Sequence, residues 1–283
     1  MTIELPVLAA RKPGWAPIVQ RNSPAPSRAK SSENCPVLHP DHKVLLINSP
    51  YLDVYGKMNV GANHTFPLGL GYIASVLREA GFPVKLFDPE PLQMDWDAIA
   101  QYIRDESPQI IGITCATSNF KGALRLARIA RENSDAIIVI GGVHVTALPE
   151  YTLMSYPEID VVVIGEGEIT MREFCLAVAQ GDNDWSKIDG IAYRQDNEAI
   201  RTALRAQIEN LDILPMPARD LVDYGLYRLQ VDKSRGSASA TMVTSRGCPA
   251  KCTFCAVGVT MGHGFRVHSP EYVVSEINYL QER

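Results

Sequence analysis

The sequence lacks long uninterrupted hydrophobic runs and any excess of positive charge. No apolar stretch approaches the roughly 18 residues that a membrane-spanning helix requires, so we expect no span. The 283 residues carry a formal net charge of -5, which argues against a nucleic-acid partner. The first residues show no positive segment followed by an adequate apolar one, so we expect no secretory signal. These absences favour a globular protein of the cytoplasm.

Nucleotide-binding fingerprints are also missing, and cysteine is sparse. No G-x-G-x-x-G follows the first predicted strand and no G-x-x-x-x-G-K-[ST] occurs, which argues against a dinucleotide-dependent enzyme and a nucleotide triphosphatase. Six cysteines are too few for a disulfide scaffold in a chain of this length. Three of them, Cys248, Cys252 and Cys255, lie within eight residues. This clustering favours a metal site in a reducing compartment.

The amino-terminal region differs in composition from the rest. Residues 1–41 hold seven of the 19 prolines and show little periodicity, which is typical of a disordered tail. Cys35 lies in this tail, and we interpret it as an incidental thiol.

Residues 42–182 are predicted to form one α/β domain with a five-stranded, doubly wound parallel sheet of the flavodoxin or Rossmann type. Short apolar runs, which favour buried strands, alternate with amphipathic helical patterns, so helices are expected on both faces of the sheet. The predicted strands are 44–47, 84–87, 110–113, 137–140 and 161–164. The helical stripes are Leu70, Ile73, Ala74 and Leu77; Ala123, Leu126, Ala127 and Ala130; and Met171, Phe174, Cys175 and Val178. Cys115 and Cys175 are expected to be core residues.

The loops that follow the predicted strands favour a ligand site, because such sheets bind ligands beyond the carboxyl ends of their strands. Small residues there allow a flat ligand to approach the backbone, although glycines at these turns also serve tight geometry alone. His144 is a candidate cofactor contact or a packing residue, and Glu166 and Glu168 either hold ligand groups or favour a helix N-terminus. Thr114 and Ser118 either bind the ligand or satisfy loop backbone. The candidate binding residues are Thr114, Ser118, Gly141, Gly142, His144, Gly165, Glu166 and Gly167.

Residues 183–237 are predicted to be a connector with a small hairpin at 191–194 and 199–202. Residues 238–283 begin a second domain, with a predicted strand at 240–245 and a helix that starts at Ser269-Pro270-Glu271. The apolar stripe of that helix is Val273, Ile277 and Leu280. Since one strand and one helix cannot bury a core, we expect this domain to be incomplete.

The sharpest motif is the C-x3-C-x2-C loop at Cys248, Cys252 and Cys255. Three thiolates on one loop can bind a soft ion or an iron–sulfur cluster, and in a 4Fe-4S cube they leave one iron without a protein ligand. An alternative is a structural zinc site that adds His263 or His268 to the three cysteines. A strand, this loop and then a capped helix suit the first unit of a βα barrel.

With Phe254 as the aromatic residue before the last cysteine, this motif resembles that of the radical S-adenosylmethionine (SAM) superfamily. The upstream domain, with Gly141-Gly142-Val143-His144 and Gly165-Glu166-Gly167-Glu168, is similar to the cobalamin-binding domain of one large subclass. The connector Leu214-Pro215-x-Pro217-Ala218-Arg219-Asp220 is similar to that subclass too.

The resemblance implies three cofactors: a 4Fe-4S cluster on Cys248, Cys252 and Cys255, SAM on the open iron, and cobalamin. It implies reductive cleavage of SAM to a 5′-deoxyadenosyl radical, with Phe254 against the adenine, and a methyltransferase or related radical reaction on a small molecule. It also implies an electron donor such as a flavodoxin or ferredoxin. The resemblance covers only the first βα unit of a barrel, so residues 1–283 alone are expected to be inactive.

The sequence departs from other cobalamin enzymes after the first strand. The D-x-H-x-x-G motif that supplies an axial histidine is absent, and residues 51–56 read Tyr-Leu-Asp-Val-Tyr-Gly. We therefore expect no cobalt ligand from that loop. A non-catalytic corrinoid carrier or sensor is the remaining alternative, and it predicts cobalamin binding without SAM cleavage.

Overall fold

The computed structural model describes residues 39–51, 65–227 and 240–282. The predicted tail with Cys35, apart from its last residues, and most of the loop at 51–56 lie outside the described residues. The strands are β1 (Val44–Asn48), β2 (Val84–Phe87), β3 (Ile110–Thr114), β4 (Ile137–Gly141), β5 (Val161–Val163), β6 (Ile191–Gln195), β7 (Glu198–Arg201), β8 (Ser245–Arg246) and β9 (Arg266–Val267). The helices are α1 (Leu68–Glu79), α2 (Trp96–Glu106), α3 (Phe120–Asn133), α4 (Val143–Ala147), α5 (Pro149–Ser155), α6 (Glu168–Ala179), α7 (Val257–Thr260) and α8 (Pro270–Gln281).

The large sheet confirms the predicted α/β class. Its strand order is β2-β1-β3-β4-β5-β6-β7, and the first five strands pair in parallel. The order 2-1-3-4-5 is the flavodoxin-like one, in which ligands bind at the carboxyl edge where the winding reverses between β1 and β3. All five predicted strands are present, each within one residue of the predicted bounds.

Each face of the sheet carries its own apolar core. Helices α1 and α6 cover one face, and α2 and α3 cover the other. The predicted stripe of α3 is fully buried, since Ala123, Leu126, Ala127 and Ala130 have no exposed surface. Cys115 and Cys175 are core residues, as predicted, and burial raises the pKa of the Cys115 thiol to about 12. Both cysteines are therefore unreactive thiols at neutral pH.

The predicted hairpin is part of the large sheet and brings it to seven strands. β6 pairs antiparallel with β5, and β7 pairs antiparallel with β6. The reason is that the three-residue strand β5 would otherwise leave a buried apolar edge with unpaired backbone groups. The sheet therefore has two strands more than the five predicted. The hairpin pattern in the sequence does not show that β6 pairs with β5.

The carboxy-terminal segment, residues 240–282, is less regular than predicted. The strand predicted at 240–245 is wrong in extent, since only Ser245–Arg246 is a strand, and it pairs antiparallel with β9. The described residues contain no closed barrel. Helix α8 begins as predicted, because the Ser269 side chain accepts a hydrogen bond from the Tyr272 backbone N–H.

The predicted stripe of α8 is not its buried side. Val273 and Leu280 are half-buried and Ile277 is exposed, whereas Glu276 is completely buried. A charged side chain is therefore the deepest contact of this helix. Among the described residues, no helix is long and apolar enough to cross a bilayer.

Candidate cofactor site

A cavity of about 440 Å³ opens at the carboxyl edge of the parallel strands, where the sequence predicted a ligand site. This volume is within the range of small-molecule pockets. One wall consists of β1, β3, β4 and β5 residues on the face covered by α1 and α6. The opposite wall comes from the segment that carries the cysteine motif. The lining residues from that segment are Val243, Ser245, Arg246, Gly247, Thr260 and Met261.

Glycines form the floor of the cavity. Gly142 has a φ of 107°, and a Cβ there would overlap the Cys115 carbonyl oxygen, so the turn after β4 requires glycine. At Gly165 a Cβ would meet no atom within 4 Å, which shows that the space beside that loop is open. The space beside the loop after β5 is thus open to a ligand, whereas glycine at position 142 serves the close packing of its turn.

The structure separates the predicted binding residues into two groups. Those that line the cavity are Thr114, Gly141, Gly142, Gly165, Glu166 and Gly167. His144 and Ser118 are not among the described lining residues. The His144 Nδ1 lies 3.1 Å from the Thr117 hydroxyl and its ring contacts Phe120, which agrees with the packing alternative. Partial burial lowers the pKa of His144.

Glu166, on the loop after β5, and Glu168, the first residue of α6, are paired with arginines of the small β8–β9 sheet. Arg266 Nη1 donates to both Glu166 oxygens, at 3.0 and 2.8 Å. Arg246 donates to Glu166 at 3.0 Å and to Glu168 at 2.6 Å. Burial raises the pKa of the Glu166 carboxyl, but hydrogen bonds from Arg266, the Ile208 backbone and Arg246 lower it overall. Both carboxylates are therefore engaged by the cysteine-bearing segment.

The cysteine loop follows directly on β8. A Cβ on Gly247, which has a φ of 83°, would overlap the Gly264 carbonyl oxygen, so glycine lets the two ends of the loop approach closely. Cys248 is half-buried, whereas Cys252 and Cys255 are exposed, and none of the three forms a disulfide. Phe254 is 90% exposed. The loop thus presents its thiols and its aromatic side chain toward the outside of the described structure.

The donor chemistry of this loop fits an iron–sulfur cluster better than one zinc ion. In a 4Fe-4S cluster each of three thiolates binds a different iron and no fourth protein ligand is required, whereas a structural zinc site requires four protein ligands. His268, one of the two candidates for a fourth zinc ligand, is buried, contacts Asp212 at 3.0 Å and stacks on Tyr272. The zinc alternative is therefore not favoured.

Arg219 of the predicted connector motif joins α8 to the sheet domain. Its guanidinium donates to the Glu276 carboxylate at 2.6 Å, to the Thr241 carbonyl at 2.7 Å and to the Tyr224 hydroxyl at 2.8 Å. The side chains of Arg219 and Glu276 are 2% and 1% exposed. The motif thus explains how a short, mostly exposed helix is fixed in place.

Sequence reasoning missed several residues of the site. Arg246 and Arg266 were not considered as site residues, because Glu166, with which both pair, lies 80 and 100 residues away in the sequence. Tyr72 also lines the cavity and lies beneath the Arg246 guanidinium, at 5.2 Å from its ring centroid. Tyr72 was not among the predicted core or binding residues.

Comparison with known proteins agrees with this geometry. Residues 58–175 match the family model of the B12 binding domain. The chain is 37% identical to an uncharacterized methyltransferase, PH0819, of Pyrococcus horikoshii over 84% of this chain and 50% of that protein. It is 32% identical to the anaerobic magnesium-protoporphyrin IX monomethyl ester cyclase of Synechocystis sp. over 75% of this chain and 42% of that protein.

A solved structure shows the same fold. The radical SAM methyltransferase TsrM of Kitasatospora setae, solved with cobalamin and a [4Fe-4S] cluster bound, superposes with a TM-score of 0.65 at 20% identity over 84% of this chain and 45% of that chain. The present chain spans about half the length of the curated relatives named above. Residues 58–175 thus match a B12 binding domain, and the described fold is similar to that of a radical SAM methyltransferase solved with cobalamin and a cluster bound.

Proposed function

We propose that this chain forms the cofactor-binding part of a cobalamin-dependent radical SAM enzyme, with methyl transfer to a small molecule as its reaction. One observation carries the proposal: residues that flank the cysteine motif, although not the cysteines themselves, line the same cavity as the glycine-rich strand ends. Two cofactor sites that border one cavity can act on one substrate, because the reacting groups are held within reach of each other.

The residues of the chain bind and orient; the reactive chemistry belongs to the cofactors. Cys248, Cys252 and Cys255 would hold a 4Fe-4S cluster, and the open iron would take SAM. Gly141, Gly142 and Gly165 would seat the corrinoid against the backbone, with Thr114 at its edge. When bound, the cluster with SAM supplies a carbon radical and the corrinoid supplies a methyl group. Phe254, as the resemblance implies, would provide an apolar face for the adenine.

The relatives support this class and also define its main alternative. PH0819 carries the name of a methyltransferase, and TsrM is titled a radical SAM methyltransferase with cobalamin and a cluster bound. The Synechocystis relative is instead named a cyclase. Methyl transfer is the reaction that most of the compared names share, and cyclisation is the alternative that a product assay would reveal.

The proposal also implies a reducing cellular compartment and a protein that donates electrons. Three thiols that must remain reduced to bind iron require a reducing compartment, which favours the cytoplasm. Reductive cleavage of SAM requires an external one-electron donor, and a flavodoxin or ferredoxin is the expected class. The exposed position of Cys252 and Cys255 is compatible with electron delivery at the loop.

The test is cofactor loading of the chain purified and reconstituted without oxygen. We expect about four irons and four sulfides per chain and one corrinoid, without turnover by residues 1–283 alone. Cys248→Ser, Cys252→Ser and Cys255→Ser should each lower iron loading, whereas Cys35→Ser serves as the matched control. A colourless protein that contains zinc would overturn the proposal, and so would iron loading that survives all three substitutions.

A separate substitution tests whether the cavity binds the corrinoid. Gly69, in the first turn of α1, lines the cavity, and a Cβ there would meet no atom within 4 Å. Gly69→Leu should weaken corrinoid binding by at least about tenfold while preserving stability, because leucine favours a helix over glycine. Glu79→Leu adds the same side chain at the exposed far end of α1 as a control. Unchanged corrinoid affinity in Gly69→Leu would place the corrinoid elsewhere.

A further inference from the structure

Four charged side chains connect the corrinoid-type cavity with the cysteine loop. Glu166 belongs to the loop between β5 and α6, Glu168 is the first residue of α6, and Arg246 and Arg266 belong to β8 and β9. Their side chains are between 5% and 14% exposed. Ion pairs so far from solvent are only weakly screened, and the loss of one partner leaves an uncompensated buried charge.

The two arginines would repel each other without the glutamates. Arg246 and Arg266 lie directly opposite each other in the two-stranded antiparallel sheet. Like charges at such a position destabilise a strand pair. Glu166 accepts hydrogen bonds from both arginines and thereby compensates both charges. This small sheet, of only two residues per strand, therefore depends on a carboxylate from another part of the chain.

The position of this small sheet determines the position of the cysteines. Arg246 lies two residues before Cys248, and Arg266 lies eleven residues after Cys255, so the two arginines fix both ends of the segment that holds the motif. The Arg266 guanidinium also donates to the Ile208 carbonyl, and Glu166 accepts from the Ile208 backbone N–H at 3.0 Å. The carboxylate thus holds three chain segments together at the cavity wall.

We infer that Glu166 and Glu168 are positioning residues, which fix the cysteine loop relative to the cavity through Arg246 and Arg266 and do not bind the corrinoid. The inference rests on the proposed function for its catalytic meaning. It replaces the two roles that the sequence suggested for these glutamates, ligand binding and stabilisation of a helix N-terminus. A distance between two cofactors would then be set by ion pairs rather than by apolar packing.

The first test needs no cofactor, so that its outcome does not depend on the proposed function. Glu166→Gln keeps the shape of the side chain but removes its charge. We expect hydrogen exchange at residues 245–247 and 264–268 of the apo-protein to accelerate at least about tenfold, since hydrogen bonds to charged groups contribute more than neutral ones. Exchange in β1 and β3 should stay at the wild-type rate.

Glu173→Gln is the matched control. Glu173 is on the same helix, α6, and pairs with Arg205, which does not contact the small sheet in any described interaction. This variant should leave exchange at 245–247 and 264–268 unchanged. If Glu166→Gln unfolds the chain, which labelling of the buried Cys115 and Cys175 would report, Arg266→Gln removes the same contact from the other side.

The second test uses the loaded protein. In Glu166→Gln the iron content and the corrinoid dissociation constant should stay within about threefold of wild type. The change that SAM causes in the electron paramagnetic resonance spectrum of the reduced cluster should be diminished. Arg246→Lys, which keeps the charge, should retain more of that change than Arg246→Gln.

Two results would overturn the inference. One is a tenfold or larger loss of corrinoid affinity in Glu166→Gln with unaltered exchange in the small sheet, which would make the glutamate a ligand. The other is wild-type exchange and wild-type corrinoid affinity together, which would leave the carboxylate with only a local role at α6. A chain that binds no iron would refute the proposed function but would leave the exchange result interpretable.

Discussion

The sheet domain and the carboxy-terminal segment are stabilised by different interactions. In the domain, strand residues such as Leu45, Ile111 and Val162 are fully buried between helices on both faces. In residues 240–282, Phe254, Val259 and Phe265 are exposed. Within the described part of that segment, the buried positions are held mainly by charged groups, above all Glu276. The domain is therefore fixed by many weak apolar contacts, and the segment by a few strong polar ones.

This difference indicates how each region responds to a single substitution. Apolar contacts are numerous and non-directional, so the loss of one lowers stability without changing the arrangement of the rest. A buried ion pair is directional, and the loss of one partner leaves an uncompensated charge. The position of the cysteine loop is consequently more sensitive to single changes than the cavity floor is.

The largest effect is expected at Arg219, where the two regions meet. Arg219→Ala should lower the free energy of unfolding by about 3–5 kcal/mol, because it leaves the Glu276 carboxylate buried without a partner. Chemical denaturation would measure the loss, and hydrogen exchange would assign it to α8. The double variant Arg219→Met/Glu276→Leu should recover most of it. A loss below about 1 kcal/mol in Arg219→Ala would show that the segment is held by other contacts.

A smaller effect is expected at Asp88, the buried acid at the end of β2 inside the domain. Burial raises the pKa of Asp88 to about 6, although hydrogen bonds from Asn48 and Tyr227 lower it in part. One of its oxygens, Oδ1, has no hydrogen-bond partner in the described ranges. The folded state therefore binds the Asp88 proton more tightly than the unfolded state does. The folded protein loses this contribution to its stability as the pH rises from about 4 to about 6.

Asp88→Asn removes this titration. The difference in unfolding free energy between Asp88→Asn and wild type should grow in favour of the variant across that pH range, up to roughly 3 kcal/mol at pH 7. Urea denaturation at several pH values would measure it. A difference that does not vary with pH would show that Asp88 has an ordinary pKa in the folded protein.

The smallest effect is expected at the start of α8. Ser269→Ala removes the side-chain cap on the Tyr272 N–H and should cost about 1 kcal/mol. Ser275→Ala, on an exposed turn of the same helix, should change stability by less than about 0.5 kcal/mol. Equal effects of the two substitutions would mean that the cap does not stabilise the helix. In that case the Arg219–Glu276 ion pair would be the main interaction that stabilises α8.

Much of the domain was predictable because its signals are local. The apolar runs gave the five parallel strands, and the stripe of α3 was correct at every residue, because a buried helix face repeats with a fixed period. The strand-end glycines line a cavity, and their binding of a ligand stays a prediction. The boundaries of the predicted domains, with the connector at 183–237, remain predictions.

The sequence could not reveal contacts between distant parts of the chain. The pairing of β6 with β5 and the burial of Glu276 against Arg219 each depend on a partner that has no fixed spacing. The same holds for Glu166, which lies 80 residues before Arg246. For the three metal-site cysteines, the spacing indicated the chemistry, whereas their assembly around a cluster stays a prediction.

By itself, the sequence determined the α/β class, the order of its elements and the presence of three soft donors on one loop, because periodicity and residue spacing are properties of neighbouring residues. Only the tertiary structure decided that residues flanking the cysteine loop line the same cavity as the glycine-rich edge, and that two glutamates pair with two arginines. Those relations follow from how the chain folds back on itself, where charge compensation and burial select the partner.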